Sequence, residues 1–165
     1  MRVEPLSEEV IDEVIPLEKL IKQYARNVQS EEFRGQLLSQ FIEWEKQGFA
    51  SCKVVYNEEN ELVAYFLLIL NEELMDQFFY HAQERNSHCS YLAQIAVKKE
   101  AQGKGLGLQL MKLIQEISLQ NGKKRLVLEV HSESLAYQWY RQLGFEEICS
   151  QVFLGMNLRE SSNLS

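Results

Sequence analysis

A chain of 165 residues, 45% hydrophobic and 25% charged, has the length and composition of one globular domain with its own core. Its net charge of −7 argues against nonspecific binding to nucleic-acid phosphates and leaves room only for a local basic patch. Cys52, Cys89 and Cys149 are odd in number, widely spaced and without a C-x-x-C pair, so neither a disulfide framework nor a zinc site is indicated. The first residues lack an apolar leader and no apolar run reaches membrane-spanning length, so the expectation is a cytoplasmic protein that does not use a membrane.

In chain order, Met1–Leu6 reads as a short strand. Ser7 before Glu8 and Glu9 reads as a helix N-cap. Val10 or Ile11, Val14, Leu17 or Glu18, and Ile21 mark a helical face that Pro16 should interrupt, giving two short helices or a kink. A second helix is expected from Glu31 to Gln47, with Phe33, Leu37, Phe41 and Trp44 on one face and Gly48 as its cap. Cys52–Tyr56 and Leu62–Leu70, separated by Asn57–Glu61, read as a hairpin whose second strand is apolar enough to be covered on both faces. In Asn71–Ser90, Phe78 to Tyr80 fits a strand and His81 to Cys89 a polar loop.

Tyr91–Val97 reads as the next strand, followed by Lys98-Lys99-Glu100 and then Gln102-Gly103-Lys104-Gly105-Leu106-Gly107. Leu106, Leu110, Leu113 or Ile114, and Ile117 then recur at helical spacing, with Gln109, Lys112, Gln115 and Glu116 expected to face away from the core. Asn121-Gly122 ends that helix, and Arg125–Val130 is another strand. Ser132 or Ser134 caps a helix from about Glu133 to Leu143, which stops at Gly144. Phe145–Leu158 supplies the last strands, within a domain of residues 1–158, and 159–165 reads as a flexible tail. This order of elements implies a mixed α/β sheet with helices on both faces.

Three glycines on the way into a helix let the backbone turn sharply and aim several N–H groups at one point, at the positive end of the helix dipole. Such a point would hold an anion, and Lys104 adds a charge suited to phosphate. A tight strand-to-helix turn that binds nothing is the other reading. Spacing excludes two familiar phosphate motifs: position 108 is Leu108 where G-x-G-x-x-G needs glycine, and Lys104 is followed by Gly105 where the P-loop needs Ser or Thr.

Gln102, Gly105 and Gly107 do fit Q/R-x-x-G-x-G/A, and here the chain resembles the GNAT superfamily of acyl-CoA N-acyltransferases. A second segment agrees in order and distance: Ala136 to Phe145 ends in Y-x-x-x-G-F at Tyr140, Gly144 and Phe145. The resemblance implies a mixed, mostly antiparallel central sheet flanked by helices. It implies acetyl-CoA as cosubstrate, with no metal. Its pantetheine arm would meet the strand at Ile95, Ala96 and Val97, and its pyrophosphate the turn at Gln102, Gly103, Lys104, Gly105, Leu106, Gly107 and Leu108.

Transfer of an acyl group to an amine requires an amine without its extra proton, a stabilised oxyanion and a protonated leaving thiolate. The resemblance gives the last role to Tyr140, a neutral donor at pH 7, with packing against the sheet or the pantetheine arm as its plainer reading. A backbone N–H near Ile95 or Ala96 would serve the oxyanion. Where several family members place a glutamate base on the central strand, this chain has Tyr91, so Glu129 on the neighbouring strand is the first candidate base. His131, His88 and water follow. Glu133 stands where many relatives have a coenzyme-binding asparagine, and Ser134 is the candidate to replace it.

The implied activity is N-acetyl transfer to a primary amine, small-molecule or protein, by direct attack in a ternary complex. A noncatalytic GNAT-fold module is the alternative, and an ATP-binding protein a remote third that lacks a Mg²⁺ carboxylate. The acceptor is expected between the N-terminal helices and Asn71–Ser90. Oligomeric state is left open, a homodimer included.

Overall fold

The computed structural model describes residues 1–21, 31–78, 88–149 and 153–159. In chain order the elements are β1 (Arg2–Pro5), α1 (Ile11–Glu18), α2 (Glu31–Lys46), β2 (Ala50–Tyr56), β3 (Leu62–Ile69), α3 (Glu72–Phe78) and β4 (Cys89–Val97). They continue as α4 (Leu106–Gln120), β5 (Arg125–Glu129), α5 (Leu135–Gln142), β6 (Glu146–Cys149) and β7 (Phe153–Asn157). The strands form a seven-stranded sheet ordered β1-β2-β3-β4-β5-β7-β6. Pairing is parallel at β4–β5 and antiparallel at β1–β2, β5–β7 and β6–β7, in agreement with the expected mixed sheet flanked by helices. Two compact units divide the chain: Met1–Leu68 with Gln94–Gly107, and Ile69–Ala93 with Leu108–Ser165.

In the first unit, β3 is buried along its whole length, as a run of apolar residues without alternation requires. Each large aliphatic or aromatic side chain removed from water there contributes about 1.5–3 kcal/mol. Asn57 closes the β2–β3 hairpin: its Oδ1 accepts from the N–H groups of Glu59 at 3.0 Å and Glu61 at 2.9 Å. Asn60 takes the left-handed conformation, φ 65°, that asparagine tolerates.

Three expectations are corrected in this unit. Ser7 makes no side-chain cap, and a 3-10 turn at Glu8–Val10 leads into α1 instead. Helix α1 runs through Pro16, which is exposed and two residues from the helix end; the carbonyl it leaves without a donor belongs to exposed Asp12. The buried face of α2 is Arg34, Leu38, Phe41 and Ile42, one residue round from the expected stripe, and Phe33 is exposed. Tyr24, within 22–30, lies outside the described residues.

In the second unit, Asn71 caps α3 by accepting from the N–H groups of Glu73 at 2.8 Å and Leu74 at 3.2 Å. Phe78 therefore ends a helix where a strand is expected, and Phe79, Tyr80 and the polar loop through 87 lie outside the described residues. Helix α4 buries Leu110, Met111, Ile114 and Ser118, and with them Gln115, which the spacing assigns to the outer face. The Gln115 amide reaches Met156 Sδ at 3.1 Å, so the core supplies it with a soft acceptor. Gly122, φ 73°, terminates α4 with Lys123 N–H donating to the Ser118 carbonyl at 3.0 Å. A buried hydroxyl pair, Ser90 and Ser118 at 2.7 Å, ties β4 to α4.

Cys52 and Cys89 are buried and form no disulfide, while the Cys149 side chain and the tail beyond Arg159 lie outside the described residues. Among the described residues no helix is long and apolar enough to cross a membrane, and no group of metal-ligating side chains is assembled.

Candidate active site

The first unit carries the glycine turn. At the end of β4, Lys98 N–H donates to the Val63 carbonyl at 2.7 Å, which fixes where the strand stops. A 3-10 turn at Lys99–Ala101 follows, and Gln102 folds back so that its Nε2 donates to the Val97 carbonyl at 2.8 Å. The first residue of the motif therefore braces the strand end. Gly103 and Gly105 have φ 74° and 80°, a region that L side chains rarely occupy, and no atom lies within 4 Å of where a Cβ would stand on either. Gly107 is different: it sits inside the first turn of α4 without a positive φ, so the turn itself does not demand it.

The N–H groups of Gly103, Lys104 and Gly105 donate to no acceptor among the described residues. Leu106, Gly107 and Leu108 form the first turn of α4, whose N–H groups have no intrahelical partner. Gln102, Gly103, Lys104 and Gly105 are exposed, and Leu106 to Leu108 are half-buried. The result is an open row of main-chain donors at the positive end of a fifteen-residue helix. On β4, Ala96 is buried while Ile95 and Val97 are half-buried.

The second unit carries the candidate acid and base. Ser134 caps α5 by accepting from Tyr137 N–H at 3.2 Å, and its own hydroxyl donates to the His131 carbonyl at 2.7 Å. Its proton is thus spent within the protein. Tyr140, on α5, is buried and packs against Phe145 with ring centroids 5.4 Å apart, edge to face. Burial alone pushes its phenol well above the usual tyrosine range. Its hydroxyl has no hydrogen-bond partner among the described residues.

Gly144, φ 93°, makes the reversal that brings Phe145 N–H back to the Tyr140 carbonyl at 3.1 Å. The last two motif residues are therefore explained by the ending of α5. Glu129, at the end of β5, is half-buried; burial pushes its carboxyl above the usual glutamate range, and Oε1 has no partner. No hydrogen bond joins Glu129 to Tyr140 or Ser134 among the described residues.

The remaining candidates have ordinary work. His131 is exposed, and its Nδ1 accepts from Glu133 N–H at 3.3 Å. His88 is exposed and its carbonyl accepts from Lys124 and Arg125. Glu133 is exposed, and Tyr91 is buried on β4 opposite Val127 of β5.

Sequence reasoning missed a buried polar cluster in the first unit. Tyr65 on β3 donates to Gln94 Oε1 at 2.8 Å, and Gln94 Nε2 reaches Glu18 Oε1 at 3.4 Å. Arg34 on α2 acts on Glu18 through its charge. Gln94 inside an otherwise apolar strand, and Glu18 and Arg34 at core-facing helical positions, were the available signals.

A mixed seven-stranded sheet in which a strand, a glycine turn and a long helix follow one another defines an acetyltransferase-type fold. The Acetyltransferase (GNAT) family model matches residues 16–145, and the chain belongs to that family. No curated protein matches it. Among solved structures, it is similar to an acetyltransferase of the GNAT family from Staphylococcus aureus, with a TM-score of 0.74 and 15% identity over 96% of this chain and 99% of that one. An aminoglycoside antibiotic 6′-N-acetyltransferase from Acinetobacter baumannii gives a TM-score of 0.72 at 18% identity, covering 96% and 99%. The PaiA N-acetyltransferase of Thermoplasma acidophilum, in complex with coenzyme A, gives 0.66 at 17%, covering 96% and 98%. At such identities the likeness establishes the fold.

Proposed function

We propose that this protein transfers an acetyl group from acetyl-CoA to a primary amine by direct attack in a ternary complex, with residues 1–158 acting as one acyltransferase domain. The observation that carries this reading is the row of unengaged N–H groups from Gly103 to Leu108, in the segment where the Q/R-x-x-G-x-G/A resemblance puts the coenzyme pyrophosphate. Main-chain donors at a helix N-terminus suit a pyrophosphate, and the open space over Gly103 and Gly105 leaves room for one. Ile95, Ala96 and Val97 offer the β4 backbone to the pantetheine arm, and an N–H near Ile95 or Ala96 serves the oxygen on which charge develops. Ser134 retains one lone pair for a coenzyme contact.

Acetyl-CoA supplies a thioester. The amine nitrogen bonds to its carbonyl carbon as the carbon–sulfur bond breaks. Glu129, or water, takes the surplus proton of the amine, and Tyr140 donates its own to the departing thiolate. The raised pKa of Glu129 fits its part, since a carboxylate short of solvation accepts a proton more readily; that of Tyr140 keeps the phenol protonated at neutral pH while making it a weaker donor to the thiolate. The neighbours named as N-acetyltransferases support an amine as the acceptor class.

A noncatalytic, coenzyme-binding module is the second reading, favoured by Tyr91 at the place of a family glutamate and by the engagement of Ser134. Calorimetry and thiol release separate the readings. Acetyl-CoA should bind the wild type and bind Gly105→Glu at least about tenfold more weakly, because the new carboxylate meets phosphate and φ 80° disfavours any side chain. Equal affinity would remove the pyrophosphate site. Binding without thiol release on any amine would favour the module.

A further inference from the structure

The buried cluster in the first unit holds two opposite charges that do not meet. Glu18 is 1% exposed and Arg34 is 5% exposed, yet no ion pair closes between them. Glu18 Oε2, Arg34 Nε and Arg34 Nη1 are all buried without a hydrogen-bond partner. Such atoms are costly, because each has lost water and gained nothing in exchange. Around them the framework is fixed. Tyr65 holds the Gln94 carbonyl end, which aims the Gln94 amide at Glu18 Oε1 and leaves Oε2 as the free oxygen. Gln94 immediately precedes Ile95 to Val97 on β4.

We infer that Glu18 and Arg34 are the two poles of an acceptor-recognition site for an amino acid: an ammonium on Glu18 Oε2 and a carboxylate on Arg34 Nε and Nη1. A monoamine would satisfy Glu18 and leave the guanidinium stranded; a simple acid would do the reverse. A ligand carrying both charges satisfies every unpartnered atom of the pair. Burial pushes Glu18 above the usual glutamate range, while the Gln94 hydrogen bond and the Arg34 charge oppose that. Only the name "acceptor" rests on the acyltransferase reading; the binding chemistry does not.

The test is calorimetric titration of the full chain with free L-amino acids, each accompanied by the amine left on removing its carboxylate and the acid left on removing its ammonium. At least one amino acid should bind with Kd about tenfold or more below both of its analogues, since each loses a charge-assisted contact. That preference should vanish in Glu18→Gln, in Arg34→Met and in the double variant, which strands neither charge. If every amino acid binds no better than its analogues, or if the double variant keeps the preference, the proposal is overturned and the cluster is structural. Acetyl-CoA is titrated separately: its failure to bind would sink acyl transfer without touching the amino-acid result.

Discussion

The carboxylates at the end of α1 and at the end of β5 share a physical state and differ in what surrounds them. Burial pushes both Glu18 and Glu129 above the usual glutamate range, and each keeps one oxygen without a partner. Around Glu18, Gln94 and Arg34 pull the other way and favour the charged form. Around Glu129 only burial acts. A desolvated carboxylate framed by donors and a counter-charge is suited to holding an ion. One desolvated without such a frame is suited to exchanging a proton. Half-burial of Glu129 leaves it open to that exchange, whereas Glu18 is buried and held by the Gln94 amide.

If proton transfer belongs to the second unit, the largest loss should come from Tyr140. Tyr140→Phe is expected to lower kcat by on the order of 10²-fold, with KM for the amine little changed. The ring stays to pack against Phe145, and the lost hydroxyl had no partner among the described residues, so the melting temperature should hold. An unchanged kcat with a good acceptor would leave Tyr140 as a packing residue only.

Glu129→Gln should cost less, roughly tenfold in kcat/KM, because water can take part of its work. Its sharper signature is in pH. In the wild type, kcat/KM should climb with pH through a midpoint above the ordinary glutamate value of about 4.3, since the base must be ionised and burial resists ionisation. In the variant that limb should disappear. A limb that survives the substitution would pass the proton to another group and dissolve the contrast with Glu18.

How much of this was legible beforehand follows from the kind of signal each part leaves. The glycine turn was readable because positive φ selects for glycine, as Gly103 and Gly105 show. The apolar run Leu62–Ile69 announced a buried strand because nothing else needs such a run. The ends of α4 and α5 were readable from Gly122, Ser134 and Gly144, each of which does a local job.

What escaped depends on distant partners. Gln115 looks like a solvent residue until Met156 is seen to receive its amide. Asn71 looks like a loop residue until it caps α3, which turns an aromatic stretch from strand to helix at Phe78. Glu18 and Arg34 lie on separate helices, and Tyr65 and Gln94 on separate strands; no spacing rule joins four residues across 76 positions. The Q/R-x-x-G-x-G/A and Y-x-x-x-G-F resemblances pointed to the turn and to Tyr140, while Gly144 and Phe145 have structural reasons of their own.

The smallest expected effect concerns stability. Folding raises the pKa of Glu18, so the folded protein binds that proton more tightly than the unfolded chain does. The stabilisation from the protonated group is fully present below the unfolded value of about 4.3 and is lost as pH rises through the higher folded value. Gln at this position stays neutral, keeps a hydrogen-bonding group beside Gln94 and carries no such loss. Melting curves of wild type and Glu18→Gln should therefore lie close together at acid pH and separate as pH rises, with the variant gaining on the wild type. Curves that stay parallel, or a wild type that gains, would mean Arg34 and Gln94 outweigh burial and that Glu18 is a satisfied ion in the free protein. Repeating the melts with an amino acid found to bind should close the gap from the wild-type side, because a bound ammonium supplies the missing counter-charge.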